Sequence, residues 1–357
     1  MRLKLILITG LCAISFTIQA QDYNARIKAL NAAINSKLKD TRNGLYFETT
    51  DTVKKDRQNL HSWLWPLCAL VQAANEMEVL QPDSAYLKPV SLAIDQYYNN
   101  SPPTPAYQDY VTAERKSSRF YDDNEWVAIA YLDAYQRKPQ KKYLDDSKMI
   151  YSFILSGIDT VSGGGVYWKE GDLSSKNTCS NGPAILVALQ LYKITKNKAY
   201  LNKAVELYQW TNRFLQSPEG TYYDNVKLPS LKLSKALYTY NTGTMLQSNV
   251  LLYQISHNKK YLTEAQRIAS AGKKQFFKDG RLPNEYWFNA VLLRGYIALY
   301  QVDHNRNWID FFETDANNIW QTERDSNNLL GKKTEKRLID QAAMIEIYAR
   351  LQQLKGK

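Results

Sequence analysis

The stretch AVELYQWTNRFL, Ala204 to Leu215, sets the fold class, because Ala204, Leu207, Tyr208, Thr211 and Leu215 return every three or four residues. That is the spacing of one buried helical face. The same period recurs along most of the chain, near 24–38, 60–78, 85–99, 123–137, 140–156, 181–195, 198–216, 240–256, 260–276, 285–302, 306–320 and 338–354. Two-residue alternation is confined to short pieces. The stretches fall into consecutive pairs, and the second member of each pair recurs at steps of 45 to 63 residues. A helical hairpin repeated about six times without capping units buries every helix by closing on itself. The expected fold is all-α, an (α/α)6 toroid or barrel of six helical hairpins with short β-hairpins in its loops. Gly44-Leu45-Tyr46-Phe47, Gly165-Val166-Tyr167-Trp168 and Gly220-Thr221-Tyr222-Tyr223 share a pattern suited to such strands.

Composition narrows the function. The 357 residues are 44% hydrophobic and 23% charged, which suits a globular chain with a large core and excludes disorder as its main state. Arg2 and Lys4 lead an apolar run to Ile18, closed by Ile18-Gln19-Ala20, so residues 1–20 read as a signal peptide and 21–357 as a single catalytic domain. The protein is expected to be exported, periplasmic or secreted, without a membrane span. A lipid anchor at Cys12 is disfavoured, since bulky Leu11 precedes it. Past the leader only Cys68 and Cys179 remain, too few for a disulfide framework. The net charge of +11 would favour polyanions. Its lysines are scattered over outer helices and loops, however, so a nucleic-acid partner is not expected. His61, His257 and His304 show no metal-ligand spacing, and no nucleophile elbow or phosphate loop is present. No metal and no cofactor are expected.

The connections entering alternate helices are rich in Asp, Asn, Tyr, Trp and Gly, whereas those at Lys138, Lys196 and His257 are tight and plain. Function should therefore collect at one mouth of the ring. There FYDDNEWVAIAYLDAY, Phe120 to Tyr135, starts a helix with Asp122 and Asp123 side by side. Such a pair can be a cap and a first-turn acid. Turned into an aromatic cavity, the two charges would push one pKa up, the division of labour that glycoside hydrolysis requires. Neighbouring carboxyls at a helix start suit the ~5–5.5 Å separation of retaining enzymes better than the wider gap of inverting ones. GGGVYWKEGD, KNTCSNGPA and YTYNTGTML enter the same mouth with amides and aromatic rings, the mixture that binds sugars. Trp126, Trp168, Asn181, Tyr240 and Asn241 are the candidate sugar contacts. Asn181 and Asn241 could equally cap helices, and Trp168 could pack the core.

Together, Tyr121-Asp122-Asp123-Asn124-Glu125-Trp126, the GGGVYWK loop, KNTCSNGPA, YTYNTGTML and LIDQAAMIEI resemble glycoside hydrolase family 76 across nearly the whole chain. That family contains endo-acting α-1,6-mannanases on an (α/α)6 barrel. The resemblance implies a retaining mechanism, with Asp122 as nucleophile and Asp123 as general acid/base, a monomeric enzyme and an α-mannan polysaccharide or oligosaccharide as substrate. Cys179 departs from the pattern, standing where an aliphatic residue is expected. Two alternatives stay open: another α/α toroid carbohydrate enzyme, such as an unsaturated uronyl hydrolase or sugar epimerase, and a non-catalytic glycan-binding protein.

Overall fold

The computed structural model describes residues 22–52 and 60–355; the expected leader and Cys12 lie outside them. Among the described residues run twelve α-helices: α1 Tyr23–Lys37, α2 Leu64–Leu80, α3 Leu87–Asp95, α4 Tyr121–Arg137, α5 Lys141–Ser156, α6 Thr178–Thr195, α7 Lys198–Leu215, α8 Thr239–Ser256, α9 Lys259–Phe276, α10 Tyr286–Asp303, α11 Asp310–Thr322 and α12 Leu338–Lys355. Even- and odd-numbered helices differ in kind. α6 is buried continuously from Thr178 to Leu191, whereas α9 buries only Ala265, Ile268, Ala269, Gly272 and Phe276, one stripe of an amphipathic surface. Each even helix packs on the next, and α12 returns to α2, closing an inner ring. The odd helices form the outer layer, so the chain is the expected (α/α)6 toroid.

The two ends of the ring are built differently. At the tight end, Lys196, His257 and His304 adopt left-handed conformations that stop α6, α8 and α10. The next residue is each time an asparagine, and Asn197, Asn258 and Asn305 accept a hydrogen bond from the amide two residues on. Two of the three histidines are thus spent in turns. At the other end α2, α4, α6, α8 and α10 begin without a side-chain cap. Their first-turn N–H groups and positive dipole ends face the long loops.

Those loops carry β1 Tyr98–Asn99, β2 Ala106–Tyr107, β3 Tyr167–Lys169, β4 Asp172–Asn177, β5 Tyr223–Lys227 and β6 Lys232–Leu237. β1 pairs with β2, and β3-β4-β5-β6 form one antiparallel sheet joining the loops before α6 and α8. The three Gly-x-Tyr-aromatic segments each suit a short strand or hairpin. β3 starts at Tyr167 and β5 at Tyr223, inside two of them, while Gly44–Phe47 makes only isolated bridges, at Tyr46 and Phe47. Helix bounds also depart from expectation. The stretch 85–99 ends its helix at Asp95 and then turns into β1, and 306–320 divides into a 3-10 turn, Arg306–Trp308, and α11. α6 starts at Thr178, three residues before the expected 181, which places Asn181 inside the helix.

Candidate active site

A cavity of about 650 Å³ opens at the mouth. It is lined by Trp63, Trp65, Asp109, Phe120, Asp122, Asp123, Trp126, Trp168, Ser175, Asn177, Cys179, Asp224, Asn225, Lys227, Tyr238, Tyr240, Trp287 and Phe288. One positional rule accounts for much of this wall. Trp65, Asp122, Cys179, Tyr240 and Trp287 are each the second residue of an even helix. Five helices entering the ring in the same direction and phase turn that position inward, although the residue type differs at each.

The aspartate pair sits in the first turn of α4, after the N-cap Phe120. Neither acid is the cap. Asp122 Oδ2 accepts the indole N–H of Trp168 at 3.1 Å, and Oδ1 accepts the Asp123 backbone N–H at 3.1 Å. Burial pushes the Asp122 carboxyl above the ordinary aspartate range, while the Cys179 thiol, the Trp168 indole and backbone N–H groups pull it back. No protein group among the described residues donates to the Asp123 carboxyl. Burial, followed by the charges of Asp122 and Asp109, drives Asp123 well up. The two neighbours therefore differ: one carboxylate is supplied with donors, and the other is surrounded by negative charge.

A third acid lies beneath them. Glu125, one helical turn along α4, is fully buried, and neither carboxyl oxygen has a hydrogen-bond partner. Burial and the charges of Asp122 and Asp123 push its pKa well up. Cys68 and Cys179 are free thiols. The Cys68 thiol donates to the Asp123 carbonyl at 3.3 Å from the core side.

The expected sugar contacts divide. Trp168 is 39% exposed at the cavity lip and leans on Phe120, with ring centroids 4.9 Å apart, so it does not pack the core. Trp126 forms the floor, edge-on to Trp287. Tyr240 stands in the wall against Phe288 at 4.1 Å. Asn181 and Asn241 do not line the cavity. Asn181 is fully buried, donating to the Val166 and Asn177 carbonyls and accepting the Val166 N–H at 2.8 Å. Asn241 is fully buried in α8.

Asn181 belongs to a repeated device at the fourth position of even helices. Asn124 holds Tyr107 through both N–H and C=O, and Gln341 holds Leu330 likewise. Asn289 binds the Pro283 carbonyl. These amides tie four of the six incoming loops to their helices. Trp63, Trp65, Trp287, Phe288, Asp109, Asn177, Asn225 and Lys227 escaped the sequence reading. The helix starts WLWP and YWF held the only signal, visible once position two is known to face inward. The sheet residues carried none, because cross-strand register decides their placement.

Among the described residues no group of three or more His, Cys, Asp or Glu side chains converges as metal ligands would, and no helix is long and apolar enough to cross a membrane. Comparison with known proteins places these features in context. The mannan endo-1,6-α-mannosidase DCW1 of Saccharomyces cerevisiae is 27% identical over 190 residues, 48% of this chain and 42% of that protein. The match thus spans about two-fifths of the length of that curated relative. The solved structure of a family 76 mannosidase of Bacteroides thetaiotaomicron superposes with a TM-score of 0.86 at 26% identity, covering 94% of this chain and 99% of that one. A GH76 α-mannanase from Bacteroides thetaiotaomicron gives 0.88 at 25% identity, covering 95% and 99%. The sequence model of glycosyl hydrolase family 76 matches residues 26–289. With most of its length matched and the toroid complete, the chain belongs to glycosyl hydrolase family 76.

Proposed function

We propose that this protein is an exported endo-acting hydrolase of α-1,6-mannosidic linkages in α-mannan, working by double displacement with retention of configuration. The observation that carries the reading is the unequal surroundings of the aspartate pair. Asp122, holding the Trp168 and Asp123 N–H groups, is the carboxylate best kept ionised and serves as nucleophile at the anomeric carbon. Asp123 has no donor among the described residues and has negative neighbours; it retains a proton and delivers it to the leaving glycosidic oxygen. After the leaving sugar departs, Asp123 as a carboxylate takes a proton from water, which attacks the mannosyl–Asp122 ester and releases the product with its starting anomeric configuration. The rings of Trp65, Trp126, Tyr240 and Trp287 offer apolar faces to mannose, and Asn177 and Asn225 offer amides.

The test is digestion of unbranched α-1,6-mannan, followed by product mass and by NMR of the first anomer formed. Internal cleavage with α-configured product is expected. Asp122→Ala should abolish cleavage, and Asp123→Ala should lower it by about 10²–10⁴-fold. Both variants should keep the wild-type circular dichroism and a melting temperature no lower than wild type, since each removes a carboxyl that burial disfavours. Full activity in either variant would overturn the assignment.

A further inference from the structure

The four-stranded sheet beside the cavity presents two rows of side chains on one face. Register pairs Asn177 with Asn225 and Asn225 with Ser234; two residues outward it pairs Ser175 with Lys227 and Lys227 with Lys232. Asn177, Asn225, Ser175 and Lys227 line the cavity, and Ser234 and Lys232 share their face because directly paired residues point the same way. The alternate residues confirm the orientation. Val226 and Leu233 pack with Trp210 and Leu215 on the opposite face, and Lys176 is buried there against Asp159.

The rows differ in chemistry. The inner row adjoins the start of α6 and thus Cys179 and Asp122. Asn177 and Asn225 are 8% and 5% exposed, and each has an amide oxygen without a protein partner, suited to accept from sugar hydroxyls. The outer row lies about 6.7 Å further along the strands, roughly the width of one more sugar. It carries two lysines, and neither has a carboxylate within ion-pair distance among the described residues. Asp224, the nearest acid on β5, is occupied with Asn225 and Ser234. The other cavity-lining groups are neutral or acidic, so among the described residues Lys227 is the one base in the lining and its cross-strand partner Lys232 extends the positive charge outward along the same sheet face. We propose that Lys227 and Lys232 form an anion subsite that seats a phosphate esterified to a mannose of the bound chain, making phosphorylated α-mannan a preferred substrate.

This inference rests on the mannanase reading, and one set of measurements separates the two. KM is measured for an α-1,6-mannotetraose and for the same oligomer bearing one phosphate, with wild type and with Lys227→Gln/Lys232→Gln. At low ionic strength the wild type should favour the phosphorylated oligomer by on the order of fivefold, as expected for exposed charge pairs. The preference should vanish near 1 M salt, where screening acts within about 3 Å, and in the double variant at any salt. Equal KM values for the two oligomers with wild type would overturn the subsite while leaving the mannanase reading intact. A preference that survives in the double variant would overturn it too. If neither oligomer is cleaved, the mannanase reading fails. Calorimetry with both oligomers and inorganic phosphate then decides the subsite: tighter binding of the phosphorylated oligomer, lost in the double variant, supports it, and equal affinities or binding of inorganic phosphate alone overturn it.

Discussion

At the scale of single residues, the Cys179 thiol and the indole of Trp168 are the donors from outside α4 that distinguish Asp122 from Asp123. A hydrogen bond to an ionised group favours the charged form, so removing a donor disfavours the carboxylate and moves its pKa up. Trp168→Phe keeps the ring on Phe120 and deletes only the N–H. Burial already raises the Asp122 carboxyl above the ordinary aspartate value of 3.8, so the acid limb of kcat/KM should move to still higher pH in the variant, by about half a unit to one unit. A pH–rate profile of the variant checks this, and an unmoved limb would show that the indole does not tune Asp122. Glu125 makes a stability prediction of known sign. Its folded pKa lies above the unfolded value of 4.5, so as pH rises past 4.5 the unfolded chain releases a proton that the folded one keeps, and stability falls. Glu125→Gln has no proton to lose. Its melting temperature should match wild type near pH 4 and exceed it by a few degrees at pH 7, at roughly 2–4 °C per kcal/mol for a large domain. Melting curves at the two pH values measure the difference. The acid pair and its following tryptophan were visible in the sequence. The donor asymmetry was not, because Trp168 reaches Asp122 from a strand 46 residues away.

Among elements, the inner helices meet with little side chain between them. A Cβ on Gly243 of α8 would stand 2.6 Å from the Leu292 Cα and 2.8 Å from the Val291 carbonyl oxygen of α10, and one on Gly295 would stand 2.5 Å from the Gly243 oxygen. Alanine in a helix ordinarily improves on glycine by about 1 kcal/mol. Here the obstacle is backbone, which cannot swing aside, so Gly243→Ala should destabilise by about 1–3 kcal/mol in a denaturant titration. A gain in stability would mean that the two helices separate freely. The fourth-position amides make a second prediction at this scale. Asn181→Ala strips the Val166 backbone of both partners and releases the loop that carries Trp168. It should cost about 2–4 kcal/mol and lower kcat/KM together with stability, although the residue never lines the cavity. Helical periodicity exposed every long element in the sequence, yet it placed Asn181 as a possible cap. A three-residue error in the helix start was enough to make a structural clamp look like a cap.

For the molecule as a whole, closing six helices into a ring leaves an axis that must be filled. Above, the axis is the cavity; deeper in the ring it is occupied by polar groups contributed by all six inner helices. Arg294 of α10 binds Asp133 of α4 at 2.6 Å, Gln72 of α2 at 3.1 Å and Gln247 of α8 at 3.1 Å, while Gln190 of α6 donates to Asp133 at 2.7 Å. Arg350 of α12 pairs with Glu76 of α2 at 3.0 Å and with Glu346 at 2.9 Å. Removing one member leaves another charge uncompensated, which costs more than the intact pair contributes. Arg294→Met should lower unfolding free energy by about 3 kcal/mol and broaden the transition, measured by chemical denaturation, while the protein that remains folded turns over as fast as wild type in the assay of the proposed mannanase activity. Loss of activity without loss of stability would indicate that these deeper groups communicate with the mouth.

The sequence alone determined the helical period, its sixfold pairing, the end of the ring that opens into the cavity and the aspartate pair, because each is written in residues close together along the chain. The tertiary structure decided the register of the β3-β4-β5-β6 sheet, the inward turn of the second residue of five helices, and the separation of amides that line the cavity from amides that clamp loops. Those properties depend on contacts between segments tens of residues apart. A local pattern records which face of a helix is apolar, but not which neighbour will cover it once the ring has closed.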